Sequence, residues 1–197
     1  MKPRNTARSK LVIFSWSLQG KELMLMGSRD SKDDAVTRLK EGKYLTFSLE
    51  GEEYGIGILK IKEIIGLMPI TRVPKTPTFV KGVINLRGKV IPIMDLRLRF
   101  GMEPAQYTER TCIIVVEMAS TKGDITIGLI VDSVSEVLNI KHEDIEETPS
   151  FGTKLDTEYI LGMAKVNKGV KILLNIDRVL TDEEIAQVKS GNGGCVR

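Results

Sequence analysis

Two stretches of this chain repeat each other, and that repeat limits the folds open to it. Residues 55–65 (GIGILKIKEII) align without gaps on residues 128–138 (GLIVDSVSEVL); the glycine, the glutamate and the apolar register all recur. Residues 79–83 (FVKGV) align on 159–163 (YILGM), and continuing that block places Asp95-Leu96 on Asn175-Ile176. The connector between the two blocks is longer in the second half. A duplicated unit predicts two similar substructures. Each half holds about five short strands, too few for a two-sheet sandwich of its own, so two small barrels sharing one core are expected.

The strands are read from alternation and turn residues. Residues 44–49 (YLTFSL) alternate, 50–52 turn the chain, and 53–58 (EYGIGI) form a second strand. Residues 83–86 and 89–94 flank Arg87-Gly88, which reads as a tight hairpin because glycine accepts positive φ. Pro92 inside the second run predicts an edge or a bulge. Asp95 is the expected N-cap of a short helix over 96–100, ended by Gly101. In the second half, 111–118 and 125–131 are apolar, strand-like runs, and 163–166 and 170–174 flank a hairpin at Asn167-Lys168-Gly169. Asn175 caps a turn over 176–180. Thr181 caps a final helix, with Glu184 at the capping-box position. The class expected is mostly β, with short helices and one C-terminal helix.

Residues 27–43 (GSRDSKDDAVTRLKEGK) are polar and nearly aperiodic. The folded domain is therefore expected over 43–188, with 1–42 a flexible appendage and 189–197 a tail. Met24 and Met26 precede this polar stretch, and translation starting at either is an alternative expectation for the N-terminus. Residues 11–18 (LVIFSWSL) follow Lys2, Arg4, Arg8 and Lys10, as in a secretory signal. The run is short, however, holds two serines and leads into Gln19-Gly20-Lys21-Glu22 without a small-x-small site, which disfavours that reading. No stretch approaches the ~20 apolar residues of a membrane-spanning helix, so no direct membrane insertion is expected.

The net charge is +3, from 29 basic and 26 acidic residues, and aromatics make up 5%. So balanced a charge with so few stacking side chains argues against nucleic acid as a partner. The two cysteines, Cys112 and Cys195, form neither a disulfide framework nor a CxxC pair, which suits a reduced, cytoplasmic setting. Cys112 lies in an apolar run and reads as a small core residue.

A search for chemistry finds little. His142 is the sole histidine, in the charged stretch LNIKHEDIEE, whereas a metal site usually needs three or four ligands. No GxSxG elbow and no phosphate loop occurs. Gly55 and Gly57 sit within a strand and read as sites of close backbone packing or a bulge. Asp33-Asp34 lies in the polar stretch, and Asp182-Glu183-Glu184 sits at a helix start, where acidic residues complement the dipole. No catalytic residue, metal or cofactor is expected.

Three runs resemble the CheW-like family: 53–64 (EYGIGILKIKEI), 77–97 (PTFVKGVINLRGKVIPIMDLR) and 127–138 (IGLIVDSVSEVL). The middle run carries the long signature [FV]-x-G-V-x-N-L-R-G-x-[IV]-[IV]-P-[IV]-x-[DN]-L. The resemblance covers about 43–188. It implies two small five-stranded SH3-like barrels around a shared hydrophobic core. It also implies a non-catalytic adaptor that couples methyl-accepting chemotaxis receptors to the regulatory domain of the histidine kinase CheA, in the cytoplasm at membrane receptor arrays. The alternative is a scaffold of the same type in a non-flagellar pathway, such as one driving type IV pili. The chain lacks a phosphotransfer histidine helix, kinase ATP-site glycines and the length for a receiver domain, so a stand-alone adaptor is favoured.

The resemblance also implies site residues. Leu45, Ile58, Ile61 and Val134 match positions facing the receptor tip, in a groove suited to a helical hairpin. Glu63, Gly82 and Arg87 match coupling positions: Arg87 at a hairpin tip near Glu63, where an ion pair would fix the groove edge, and Gly82 where the chain passes close. The kinase contact is expected to be barrel against barrel, which allows rings that include other CheW-like proteins; no residues are assigned to it. Competing readings, an enzyme with an inter-barrel pocket or a nucleic-acid-binding barrel, need convergent polar groups or exposed aromatics, which the sequence does not offer.

Overall fold

The computed structural model describes residues 41–121, 123–148, 158–166, 169–181 and 183–185. The expectations for most of the N-terminal appendage, the Asn167-Lys168 turn, the course of the last helix beyond 185 and the C-terminal tail lie outside those residues.

The elements run β1 (Gly42–Leu49), β2 (Glu52–Gly57), a 3-10 turn at Ile58–Lys60, β3 (Ile61–Gly66), β4 (Val80–Leu86), β5 (Lys89–Asp95), α1 (Leu96–Arg99), β6 (Cys112–Met118) and β7 (Ile125–Val131). There follow β8 (Ser133–Ile140), a 3-10 turn at His142–Asp144, β9 (Ile145–Glu146), β10 (Ile160–Val166), β11 (Gly169–Leu174) and a 3-10 turn at Ile176–Arg178. The caps are those the sequence predicts. Asp95 accepts from the N–H groups of Arg97 and Leu98, Asn175 accepts from Asp177, and Thr181 and Glu184 exchange both bonds of a capping box. The Tyr107 hydroxyl donates to Asp95; burial and that carboxylate push the phenol up to about 12.

The duplication is real, and its halves exchange strands. One sheet runs β8-β1-β2-β11-β10-β9 and the other β3-β6-β7-β5-β4. Every ladder linking the two repeats is reciprocal. Ile93 pairs with Gly128 in the parallel β5–β7 ladder, and Leu173 pairs with Gly55 in β11–β2. The Asp95 N–H donates to Phe79 O at 2.8 Å, and the Asn175 N–H to Tyr159 O at 2.7 Å. The register shifts at Gly82 in β4 and at Gly162 in β10. The added β9 gives one sheet six strands where five were expected.

Alternation of side chains builds three apolar clusters. On β6, Ile113 and Val115 face one barrel's interior, and Ile114, Val116 and Met118 face the other way. One barrel closes around Ile84, Ile91, Ile93, Ile113, Val115 and Ile130; the other closes around Tyr44, Ile140, Ala164 and Leu173. Between them lies the largest cluster, drawn from both sheets and including Phe47, Ile56, Ile114, Val116, Ile127 and Leu129. Burying each such side chain contributes about 1.5–3 kcal/mol. The shared core also gathers the sparse aromatics: Phe47, Tyr54, Phe100 and Tyr159 stack in sequence, with ring centroids 4.9–5.9 Å apart.

Gly55 and Gly128 occupy equivalent places facing the two barrel interiors. A β-carbon would lie 2.9 Å from Leu173 at the first and 2.5 Å from Ile93 at the second. The close-packing expectation holds for Gly55 and fails for Gly57, where a β-carbon would meet nothing. Cys112 is half-buried against the shared core, and burial pushes its thiol up.

Candidate partner-docking site

The hairpin between β4 and β5 turns on Arg87 and Gly88, with φ of 52° and 83°. Both central residues are left-handed, as the tight two-residue turn matching strand twist requires. The Asn85 side chain accepts the Gly88 N–H at 2.8 Å and stabilises the turn. The turn directs Arg87 onto Glu63 of β3, with Nη2 2.9 Å from Oε2 and Nη1 3.4 Å from Oε1. Strands β3 and β4 are opposite edges of the five-stranded sheet, so the ion pair staples the barrel where its edges meet. Arg87 is 73% exposed. A pair this open is worth about 0–1 kcal/mol to stability.

Gly82 is buried with φ of +139°, and a β-carbon there would overlap the Thr71 carbonyl oxygen. Two backbone bonds of 2.9 Å between Thr71 and Val83 hold that approach. The expected close passage of the chain is therefore present, and the chain it meets is the segment after β3.

The four aliphatic residues differ in position. Ile58, Ile61 and Val134 are half-buried and pack against the rim of the shared core. Ile61 pairs with Val116 and Val134 with Phe47, which are repeat-equivalent contacts. Leu45 corrects the expectation: it is 3% exposed, inside the shared core. Strand β1 is covered by β2 and β8, and Leu45, Phe47 and Leu49 all face inward.

Ile58 also lines a groove of about 300 Å³ with Tyr44, Leu59, Leu161, Ile176 and Asp177. Leu59, which the sequence reading does not single out, stands 95% exposed beside it. Its one sequence signal is the repeat alignment, which puts Leu59 opposite Asp132. Two ion pairs are also unanticipated. Lys60 reaches Asp177 at 2.6 Å, and Arg97 grips Asp132 with Nε and Nη2 at 2.7 and 2.6 Å. Burial opposes the Asp132 charge, yet the Arg97 guanidinium and the Glu50 N–H together hold its carboxyl below the usual range. His142 lies exposed in its 3-10 turn.

Paired barrels that share a core, with an aliphatic rim and a stapled hairpin beside it, define a protein-docking scaffold. The CheW-like domain family model matches residues 43–184. The chemotaxis protein CheW of Klebsiella aerogenes is 42% identical over 146 residues, covering 74% of this chain and 86% of that protein. CheW of Thermotoga maritima is 34% identical, covering 78% of this chain and 95% of that protein. The crystal structure of the scaffolding protein TtCheW from Thermoanaerobacter tengcongensis superposes with a TM-score of 0.65 at 36% identity, over 73% of this chain and 97% of that one. The chain belongs to the CheW-like domain family and is a non-catalytic chemotaxis scaffold. No helix among the described residues is long and apolar enough to cross a membrane.

Proposed function

We propose that this protein couples methyl-accepting chemotaxis receptors to the regulatory domain of CheA, in the cytoplasm at membrane receptor arrays. The observation that carries the reading is the half-buried rim of Ile58, Ile61 and Val134 around the shared core. A helical receptor tip laid on that rim gains affinity from apolar burial, at roughly 25 cal/mol per Å² before association costs. The Glu63–Arg87 staple beside it orients the hairpin edge. The kinase contact is barrel against barrel. Val90 and Val170 support this: they are repeat-equivalent, 53% and 51% exposed, and supply like apolar surface on each barrel. Like surfaces on both barrels also permit rings with other CheW-like proteins.

The test is capture of a CheA regulatory-domain fragment by the full chain, with and without a receptor-tip peptide, at low and high salt. Capture that survives high salt, with the peptide binding at the same time, is expected. No ternary complex at either salt would overturn the reading.

A further inference from the structure

The two repeats are fastened to each other by equivalent latches of opposite polarity. In the first, Asp132, between β7 and β8, accepts from Arg97 beyond β5 and from the Glu50 N–H at 2.8 Å. In the second, Asp177, beyond β11, accepts Lys60 Nζ and the Ala119 N–H at 2.7 Å. Glu50 and Ala119 each follow the first strand of their repeat. Each latch thus joins the same three places, but the acid sits at the strand junction in one and beyond the last strand in the other. The symmetry also breaks at the strand junction. The position that holds the paired Asp132 in the second repeat holds Leu59 in the first, and the charge there is carried one residue later by Lys60.

That change leaves Leu59 in solvent on a turn whose apolar anchorage is Ile58, half-buried against the shared core. The 3-10 turn Ile58–Lys60 has no fully buried residue and no side-chain N-cap. Its last residue is tied to Asp177, and both partners line the groove beside Leu59. Because the two charges neutralise each other at 2.6 Å, the groove wall they form suits an apolar partner better than an ionic one.

We propose that the Lys60–Asp177 pair is a positioning device for docking. It fixes the 3-10 turn so that Leu59 stands at the groove edge as an apolar anchor for a helical tip. Asp177 acts through Lys60 and touches no partner itself. The inference rests on the docking reading above and adds to it the residue that anchors and the pair that aims it. Holding the turn in place spares the partner the cost of ordering it on binding.

The experiment measures affinity of the full chain for a receptor-tip helical hairpin and, separately, for the CheA regulatory fragment. Leu59→Ser and Lys60→Gln are each expected to weaken tip binding about fivefold or more with kinase affinity unchanged, and Lys60→Gln to lower the thermal midpoint by no more than the loss of one part-exposed ion pair. Lys60→Arg keeps the ion pair and is expected to retain tip affinity. Asp177→Asn keeps an acceptor for the Ala119 N–H but loses the charge, and is expected to match Lys60→Gln. Tip binding by Lys60→Gln and Asp177→Asn equal to that of the unsubstituted protein overturns the positioning role, and normal binding by Leu59→Ser overturns the anchor. If the unsubstituted protein fails to bind the tip at all, the docking reading falls and this inference with it.

Discussion

At Gly82 the space for a side chain is already taken. A methyl group would overlap the Thr71 carbonyl and come within 3.0 Å of the Arg72 Cα, and the φ of +139° disfavours any L side chain. The obstacle is backbone locked by two hydrogen bonds, so it cannot swing aside as a side chain could. Gly82→Ala is expected to cost about 2–4 kcal/mol, read as a lower denaturant midpoint at unchanged m-value. A smaller loss would show that the segment after β3 gives way freely. Asp132 makes a prediction in pH. Its carboxyl is more acidic folded than unfolded, so it stabilises the protein above the ordinary value of 3.8, and that share is lost as pH falls below it. Thermal midpoints taken down to about pH 2 should fall more steeply for the unsubstituted protein than for Asp132→Asn. Parallel curves would count against a folded-state role for the Arg97 pair. Arg87 tests recognition: it is 73% exposed, so Arg87→Ala should keep its thermal midpoint yet impair ternary assembly with receptor and kinase. The Arg87–Glu63 pairing and the Asp95, Asn175 and Thr181 caps were legible in sequence because each depends on local spacing or on a family signature. Leu59 was hidden: a leucine beside isoleucines reads as core until the structure shows which way its turn faces.

Strands with continuous apolar runs, such as β6 and β7, are plain in the sequence because they are covered on both sides. Strands β3 and β8 are not, since at the sheet edges β3 alternates half-buried and exposed positions and β8 is largely open. The edge position expected from Pro92 does not hold, and local geometry explains how a proline is tolerated inside the sheet. Strand β5 is interior, yet its parallel ladder with β7 begins only at Ile93. Val83, opposite Pro92, spends both backbone groups on Thr71, so the missing proline N–H points away from β4 to where β7 is not yet paired. The equivalent glycines of β2 and β7 separate two kinds of tightness. An alanine at 55 meets the mobile end of Leu173, whereas one at 128 also meets the branched Cγ2 of Ile113 at 2.7 Å. Gly128→Ala should therefore destabilise by about 1–3 kcal/mol and Gly55→Ala by clearly less. Chemical denaturation of the two variants side by side gives the order, and a reversed order would mean the two barrel interiors are packed differently from their shared pattern.

The duplication was readable at the level of the whole chain, but the exchange of strands was not. Pairing partners are chosen by tertiary fit, and β2 and β7 carry the same apolar pattern whichever fifth strand lies beside them. The exchange nonetheless decides how the molecule must fold. The ladders β8–β1, β3–β6, β5–β7 and β11–β2 all join one repeat to the other. Severed from the second half, the first keeps only the β1–β2 and β4–β5 hairpins, and isolated hairpins are marginal in water. The shared cluster is also cut in two, which leaves each half without most of its apolar burial. Fragments 1–108 and 109–197 are thus each expected to show no cooperative thermal transition alone and to recover one when mixed, with amide spectra matching the intact chain. Should either fragment fold cooperatively alone, its barrel would have to close with its own strands, and the interleaved sheets would be a choice made after folding and not its cause. Because the rim proposed for docking is built where the two repeats meet, the same mixing should restore binding of a receptor-tip helix only together with the fold.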